Sequence, residues 1–184
     1  MTALTATLGA RIASPAGFCL AFVAFAGLHA ALRFSFSDAI AVDEVVETIF
    51  AQSWALGYDP KQPPLYTWLL RAAQLVFGPT AETFHLLKYV LLGGALLALR
   101  AAALRRTGDA VFAGAAAFAI LLTYQIGWNV HDGVTHTLTL LLACALTLWL
   151  VVRIVDAPAL WMFPAIGLAI GLGFLSKYGF AVSV

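Results

Sequence analysis

Long apolar segments alternate with shorter polar ones along most of the chain. A helix of about 20 residues crosses the roughly 30 Å hydrocarbon layer of a membrane. Five apolar runs are long enough to do so, near residues 15–33, 84–104, 110–128, 133–152 and 158–176. Lipid provides no partner for an unpaired backbone, so these segments should be α-helices. The pattern predicts an all-α integral membrane protein, a multi-span helical bundle.

The longest polar interruption, residues 34–83, has a helical pattern of its own. Its apolar residues recur with the i, i+3, i+4, i+7 spacing of an amphipathic helix, at Val42, Val45, Val46, Ile49 and Phe50. We therefore predict a helix over residues 42–54 that lies in the membrane interface.

A second interfacial helix is predicted in the same loop. The stretch YDPKQPP is typical of an extended turn, and PLYTWLLRAAQLVFG then begins with proline in its first turn and ends at Gly78. On the first of the two helices, Asp43 and Glu47 should lie at the border of the apolar stripe, and Glu44 should point away from it.

Composition supports a membrane environment and narrows the remaining choices. Hydrophobic residues make up 62% of the chain and charged residues 10%, and the mean hydropathy is +0.94, far above the range of soluble proteins. Cys19 and Cys144 lie within apolar runs and are interpreted as small buried residues.

The first run could be a signal peptide that follows Arg11, but a retained anchor is favoured because no clear cleavage site precedes Arg33. Membrane lipid is an expected partner and nucleic acid is not.

Basic residues set the expected orientation. With five spans, each face of the membrane receives five Lys or Arg residues, but short connectors carry more weight. We therefore assign residues 1–14, 100–109 and 153–157 to the cytoplasm. Most of the acids then fall on the other face, namely Asp38, Asp43, Glu44, Glu47, Asp59, Glu82 and Asp132.

Each of these polar residues also has an ordinary structural interpretation. Asp38, Glu44 and Glu47 could form a solvated face. Asp132 could cap the fourth span at its N-terminus. Lys177 could anchor the end of the fifth span among lipid headgroups. The histidines also have ordinary interpretations, and we interpret His29 and His85 as structural residues. His131 and His136 are five residues apart, and this spacing does not place them on one helical face, as two metal ligands on a helix would require.

In order along the chain, four motifs resemble those of C-type glycosyltransferases of family 39. They are the Asp43–Glu44 pair in the first non-cytoplasmic loop, YDPKQPPLY, the acid in NVHDGVTHTLTLLLA, and GLGFLSKYG. This family includes protein O-mannosyltransferases, lipid A aminoarabinose transferases and lipopolysaccharide-core galacturonosyltransferases. Gln62 departs from the pattern, because many relatives have histidine before the paired prolines.

The resemblance implies a multi-span bundle of this family's type and inverting transfer of a sugar from a polyprenyl-phosphate carrier to an acceptor hydroxyl. The acceptor would be lipid A or lipopolysaccharide, another glycan or a protein, at the periplasmic face of a bacterial inner membrane. Asp43 matches the catalytic base, Asp132 the second acid and Lys177 a lysine placed to receive the phosphate. Glu44 would support Asp43 or be solvated.

Further candidates follow from the same motifs. Lys61 is a second phosphate ligand, and Tyr58 and Gln62 complete the substrate-binding set. A divalent metal ion is an open alternative, with Asp132 and His131 as its ligands. The chain also ends at its last motif, so we expect it to be the N-terminal part of a longer enzyme. We expect this part to be inactive by itself. A secondary transporter, marked by charges near helix ends, and a non-catalytic scaffold are the alternative functions.

Overall fold

Residues 13–37 and 39–182 are described by the computed structural model. Arg11 and Asp38, used above for orientation and for the acid count, lie outside them. The described residues form helices and connecting loops, with one isolated bridge between Asp59 and Gln62. The α-helices are α1 (Pro15–Phe36), α2 (Val42–Phe50), α3 (Leu65–Phe77), α4 (Ala81–Thr107), α5 (Ala110–Phe118), α6 (Tyr124–Gly127), α7 (His136–Asp156) and α8 (Met162–Ser176). Short 3₁₀ turns cover Ala119–Leu122, Asn129–His131 and Tyr178–Val182. The predicted all-α membrane fold is confirmed.

Local sequence sets most of the helix boundaries. Helix α1 starts after Ser14, whose hydroxyl accepts from the Gly17 N–H at 3.0 Å, with a proline in the first turn. Helices α3 and α4 end at Gly78 and Gly108, which adopt φ angles of 87° and 69°. Glycine takes up such positive φ angles without steric cost. The predicted end of the second interfacial helix at Gly78 is thus observed.

Among the described residues, three helices, α1, α4 and α7, are long and apolar enough to cross a membrane. The third predicted run differs from expectation, because Ala110–Leu122 and Tyr124–His131 meet at an angle of 85°. The third predicted run is a fourth span only if the two bent segments together are counted as one span. Helix α8 has 15 residues, which at 1.5 Å per residue covers about 22 Å and is shorter than a full span.

Helix α4 lies at the centre of the bundle. It packs against α7 where Leu142 approaches Gly94, and against α1 where the ring of Phe22 approaches Gly93. A Cβ on Gly93 would lie 2.7 Å from the Phe22 ring, so a side chain here would require the ring to shift. The largest fully buried apolar side chains fill the space between these helices, including Phe18, Phe84, Leu92, Leu96 and Leu138.

Charged residues mark the two opposite ends of the bundle. At one end, Asp156 of α7 pairs with Arg105 at 2.8 Å and with Arg106 at 3.0 Å. Near the other end of α4, Lys88 pairs with Glu44 of α2. Seventeen helical residues separate Lys88 from Arg105, a distance of about 26 Å. The acid-rich loop and the arginine pair therefore lie at different ends of the bundle.

Helix α2 forms as predicted, and its acidic face, not its apolar stripe, turns toward the protein. Its apolar stripe is exposed, with Val42 at 78% and Ile49 at 64%, whereas Glu44 and Glu47 are buried. Glu44 points away from the apolar stripe, as predicted, but it is buried, so the interpretation of Glu44 and Glu47 as a solvated face is wrong. The helix also ends at Phe50, four residues earlier than expected. An exposed apolar stripe suits a helix at a lipid interface, and the buried acids require polar partners within the protein.

Candidate functional site

A cleft with two adjoining lobes lies at the acid-rich end of the bundle. Lobe A has a volume of about 290 Å³ and is lined by Asp43, Glu47, Tyr58, Lys61, Gln62 and His136, among others. Lobe B has a volume of about 400 Å³ and is lined by Asp43, Gln62, Asp132, His136, Thr137 and Lys177, among others. The residues common to both lobes, here called the junction, are Asp43, Gln62, Thr135 and His136. Most of the residues singled out from sequence thus share one cleft.

Asp43 is presented to both lobes by the first turn of α2. It is exposed, unlike the two other acids on the same helix. The N-terminal turn of a helix favours a negative charge. The carboxylate therefore remains accessible to a molecule bound in the cleft.

Lys177 follows the last residue of α8 and reaches lobe B from the opposite wall. Its Nζ lies 3.3 Å from the Oγ1 of Thr137, near the start of α7. The side chain is half-buried, so the charge is held in place but still open to the cleft. An ammonium in this position can bind an anionic group in lobe B.

Asp132 lines lobe B from the loop before α7. The side chain is 73% exposed and lies 4.0 Å from the guanidinium of Arg33. Helix α7 begins at His136, with Thr135 in the cap position and no side-chain cap bond. Asp132 lies too early in the chain to be the N-cap, so the capping interpretation is wrong.

The turn between α2 and α3 supplies three of the predicted substrate-binding residues. The Tyr58 hydroxyl donates to the Ser53 carbonyl at 2.6 Å and accepts from the Ala55 N–H at 3.0 Å. Lys61 is exposed, so its ammonium is free to move. The Oε1 atom of Gln62 is buried and has no hydrogen-bond partner among the described residues. The Tyr58 hydroxyl thus makes its hydrogen bonds within its own loop, whereas the amide oxygen of Gln62 is an acceptor without a partner among the described residues.

Glu44 is a structural residue in this arrangement. It forms a buried ion pair with Lys88, and both side chains are 1% exposed. Its second oxygen accepts from the Ala41 N–H at 2.9 Å. Glu44 lines neither lobe. It is therefore not part of a solvated face, and it does not support Asp43 directly. The pair attaches α2 to α4 and so fixes the helix that carries Asp43.

Sequence reasoning missed a second buried acid, Glu47, and its partner His136. Glu47 Oε1 lies 2.8 Å from His136 Nε2, and Glu47 Oε2 accepts from the Thr67 hydroxyl at 2.7 Å. Glu47 follows Glu44 by three positions, a spacing that places two side chains on one helix face. That spacing was an available signal that the two acids share a face, but it does not tell which way the face turns.

Tyr66 lies beside this buried acidic face. Its side chain is fully buried on α3, and its ring centroid is 5.4 Å from that of His136. Burial, together with the nearby carboxylates of Glu44 and Glu47, raises the pKa of Tyr66 well above its ordinary value. Its hydroxyl therefore stays protonated and adds no charge to the site.

The residues near Asp132 do not fit a metal ion well. His131 Nδ1 is 2.9 Å from the Tyr89 hydroxyl, and its ring stacks on His29 with centroids 3.9 Å apart. Within residues 13–37 and 39–182, no three His, Cys, Asp or Glu residues are grouped closely enough to hold a metal ion.

Comparisons with known proteins agree with the site's motifs. Two lipopolysaccharide core galacturonosyltransferases of Rhizobium johnstonii are similar to the chain. RgtA is 32% identical over 94% of this chain and 34% of its own length, and RgtB is 26% identical over 84% of this chain and 31% of its own length. The chain therefore spans about a third of the length of these curated relatives. No solved structure matches it.

The family comparison covers the part of the chain that forms most of the cleft. Residues 61–184 match the model of the dolichyl-phosphate-mannose-protein mannosyltransferase family. The matched range includes Gln62, Asp132, His136 and Lys177, while Asp43 and Tyr58 precede it. Because this match covers well over half of the chain, the protein is a membrane protein that belongs to the dolichyl-phosphate-mannose-protein mannosyltransferase family.

Proposed function

We propose that the native protein is a glycosyltransferase that takes a sugar from a polyprenyl-phosphate carrier and passes it to an acceptor hydroxyl. One observation carries this proposal: Asp43, Asp132 and Lys177 line a single lobe of about 400 Å³. A carboxylate and an ammonium in one cleft supply the two charges that the transfer requires, a proton acceptor and a phosphate ligand.

The transfer is a single displacement at the sugar carbon. Asp43 takes the proton of the acceptor hydroxyl, and the hydroxyl oxygen forms a bond to the anomeric carbon. The bond from that carbon to the carrier phosphate breaks at the same time, and the phosphate leaves with the electron pair. Lys177 stabilises the charge on the departing phosphate, and Asp132 orients the acceptor. One displacement inverts the configuration at the sugar carbon.

The position of the cleft suits a carrier whose tail remains in lipid. The apolar side chains Val42 and Ile49 on α2 are exposed next to the cleft, so the headgroup can reach lobe B while the polyprenyl chain stays in the membrane. The cleft and the Arg105–Arg106 pair lie at opposite ends of the bundle, and basic residues favour the cytoplasm. We therefore assign the cleft to the periplasmic side of a bacterial inner membrane.

The names of the two relatives suggest the first substrates to try. Both are described as galacturonosyltransferases that act on the lipopolysaccharide core. Galacturonic acid and a lipopolysaccharide core acceptor are therefore the candidates we favour over another glycan or a protein.

The decisive experiment measures sugar transfer in membranes that contain the protein at its native length. We expect Asp43→Asn to reduce the rate by about 10²–10⁴-fold, because it removes the base and preserves the side-chain shape. The substrates are polyprenyl-phosphate-linked galacturonic acid and lipopolysaccharide core, and the readout is the modified core.

Glu82→Gln is the matched control. Glu82 is an exposed acid in the first turn of α4 and lines neither lobe, so this amide should leave transfer unchanged. Equal rates for Asp43→Asn and the parent protein at matched abundance would refute the assignment of the base. Uptake of a free solute in place of transfer would refute the proposed reaction.

A further inference from the structure

Two polar atoms at the junction of the cleft lack hydrogen-bond partners. They are Oε1 of Gln62 and Nδ1 of His136, and neither has a partner among the described residues. Both residues line both lobes. A buried polar atom without a partner costs free energy, so such atoms in a cleft mark a place where a bound molecule supplies the missing bond.

His136 is held in one orientation by the residues around it. Its Nε2 atom lies 2.8 Å from Glu47 Oε1, and the residue is only 4% exposed. The other oxygen of Glu47 accepts from Thr67 at 2.7 Å. An ionised carboxylate can only accept hydrogen bonds, so Nε2 carries the hydrogen and Nδ1 is left for another partner.

The chemistry of the junction favours a sugar hydroxyl as that partner. A neutral imidazole offers a lone pair at Nδ1 and a charged one offers an N–H, and a hydroxyl group can pair with either. The amide oxygen of Gln62 accepts from a hydroxyl in the same way. The phosphate ligand Lys177 lines lobe B but not lobe A, which leaves the junction for the group attached to the phosphate.

We propose that His136 hydrogen-bonds a hydroxyl of the transferred sugar through Nδ1 at the junction, and that Glu47 is a positioning residue that fixes the imidazole ring. This inference rests on the proposed function. It adds a residue that recognises the sugar and is separate from the residues that bind the carrier phosphate. Asp43 also lies at the junction, so the sugar carbon is placed beside the base.

Two substitutions at position 136 separate the two ring nitrogens. The amide of Gln extends to about the position of Nε2, so His136→Gln keeps the bond to Glu47 and loses the group at Nδ1. The amide of Asn lies near the position of Nδ1, so His136→Asn has the opposite effect. A purely structural role of His136 would be restored by Gln and not by Asn.

The test compares binding of two probes to the native-length protein in nanodiscs. The probes are polyprenyl-phosphate-linked galacturonic acid and polyprenyl phosphate without a sugar. We expect His136→Gln to bind the sugar-free carrier as the parent does and the sugar-linked carrier about tenfold more weakly, the effect of one lost hydrogen bond. His136→Asn should retain more of the sugar-dependent affinity but melt at a lower temperature, because the Oε1 atom of Glu47 loses its partner.

His85→Gln is the control for the substitution itself. His85 is also buried and also has an Nδ1 atom without a partner in the described part of the chain, but it lines neither lobe. The His85→Gln variant should bind both probes as the parent does. Equal binding of the sugar-linked carrier by His136→Gln and the parent would overturn the inference, and so would an equal loss for both probes. A parent protein that binds neither probe would instead refute the proposed function.

Discussion

The three acids of α2 lie within five residues of each other but have different environments. Asp43 is exposed in the cleft, Glu44 is paired with Lys88, and Glu47 is bonded to His136 and Thr67. A buried charge is tolerated only when it has a partner. At the residue scale, two of the three acids therefore hold the helix in place, and the third is accessible from the cleft.

Glu44→Gln should destabilise the protein. Removing one partner of a buried ion pair leaves the other charge uncompensated, which typically costs about 3–5 kcal/mol. Thermal unfolding of the purified protein in detergent measures this loss. The double variant Glu44→Leu with Lys88→Met removes both charges and should recover much of the stability. A melting temperature of Glu44→Gln equal to that of the parent would contradict the buried pair.

Lys177→Gln should weaken binding of sugar-free polyprenyl phosphate by about 1–3 kcal/mol, the scale of a hydrogen bond to a charged group. Lys177→Arg keeps the charge and should retain most of the affinity. Binding is measured on the native-length protein in nanodiscs. If Lys177→Gln binds as the parent does, Lys177 is an interfacial anchor, and Lys61 becomes the candidate for the phosphate.

At the scale of elements, the bend after Leu122 brings the following loop to lobe B. The 85° turn redirects the chain into Tyr124–His131, and Asn129 and Asp132 then line the lobe. The bend depends on a close approach of two backbone segments. A Cβ at Gly127 would lie 1.9 Å from the Leu121 carbonyl oxygen, so a side chain here requires the backbone to move.

Gly127→Ala should therefore destabilise the bend, by about 1–3 kcal/mol on the scale of overpacking. We expect a lower melting temperature and slower transfer, because the loop that carries Asp132 shifts. Gly27→Ala is the matched control, since a Cβ there meets no atom within 4 Å and alanine favours a helix. A Gly127→Ala variant as stable and active as Gly27→Ala would show that the bend does not depend on this contact.

At the scale of the whole molecule, the separation of charges gives a testable orientation. The cleft and the Arg105–Asp156 pair lie at opposite ends of the bundle. A cysteine at Gln52, exposed in the loop after α2, should react with a membrane-impermeant thiol reagent in spheroplasts. A cysteine at Thr107, exposed at the end of α4, should react only after the membrane is permeabilised.

Both labelling variants are made in a background in which Cys19 and Cys144, the two cysteines of the sequence, are replaced by alanine. Reaction of both sites in spheroplasts would place the two ends on one side of the membrane. Reaction of position 107 alone in spheroplasts would show that the protein has the opposite orientation. The proposed transfer would then take place at the cytoplasmic face.

Much of the fold was determined by the sequence itself. Apolar runs predict the long helices α1, α4 and α7, because a membrane span needs a fixed length of apolar residues. Local signals such as Gly78 fix where helices end. The order of the spans also predicts that Asp43, Asp132 and Lys177 emerge at one end of the bundle, and the structure places all three in one cleft.

Only the tertiary structure decided which face of α2 is buried. The apolar stripe predicts the helix but not the side that meets the protein, because a membrane interface accepts an exposed apolar face. The partners that draw the acids inward are distant along the chain: Lys88 is 44 residues from Glu44, and His136 is 89 residues from Glu47. A local pattern carries no information about such pairs, so the roles of Glu44 and His136 follow from packing alone.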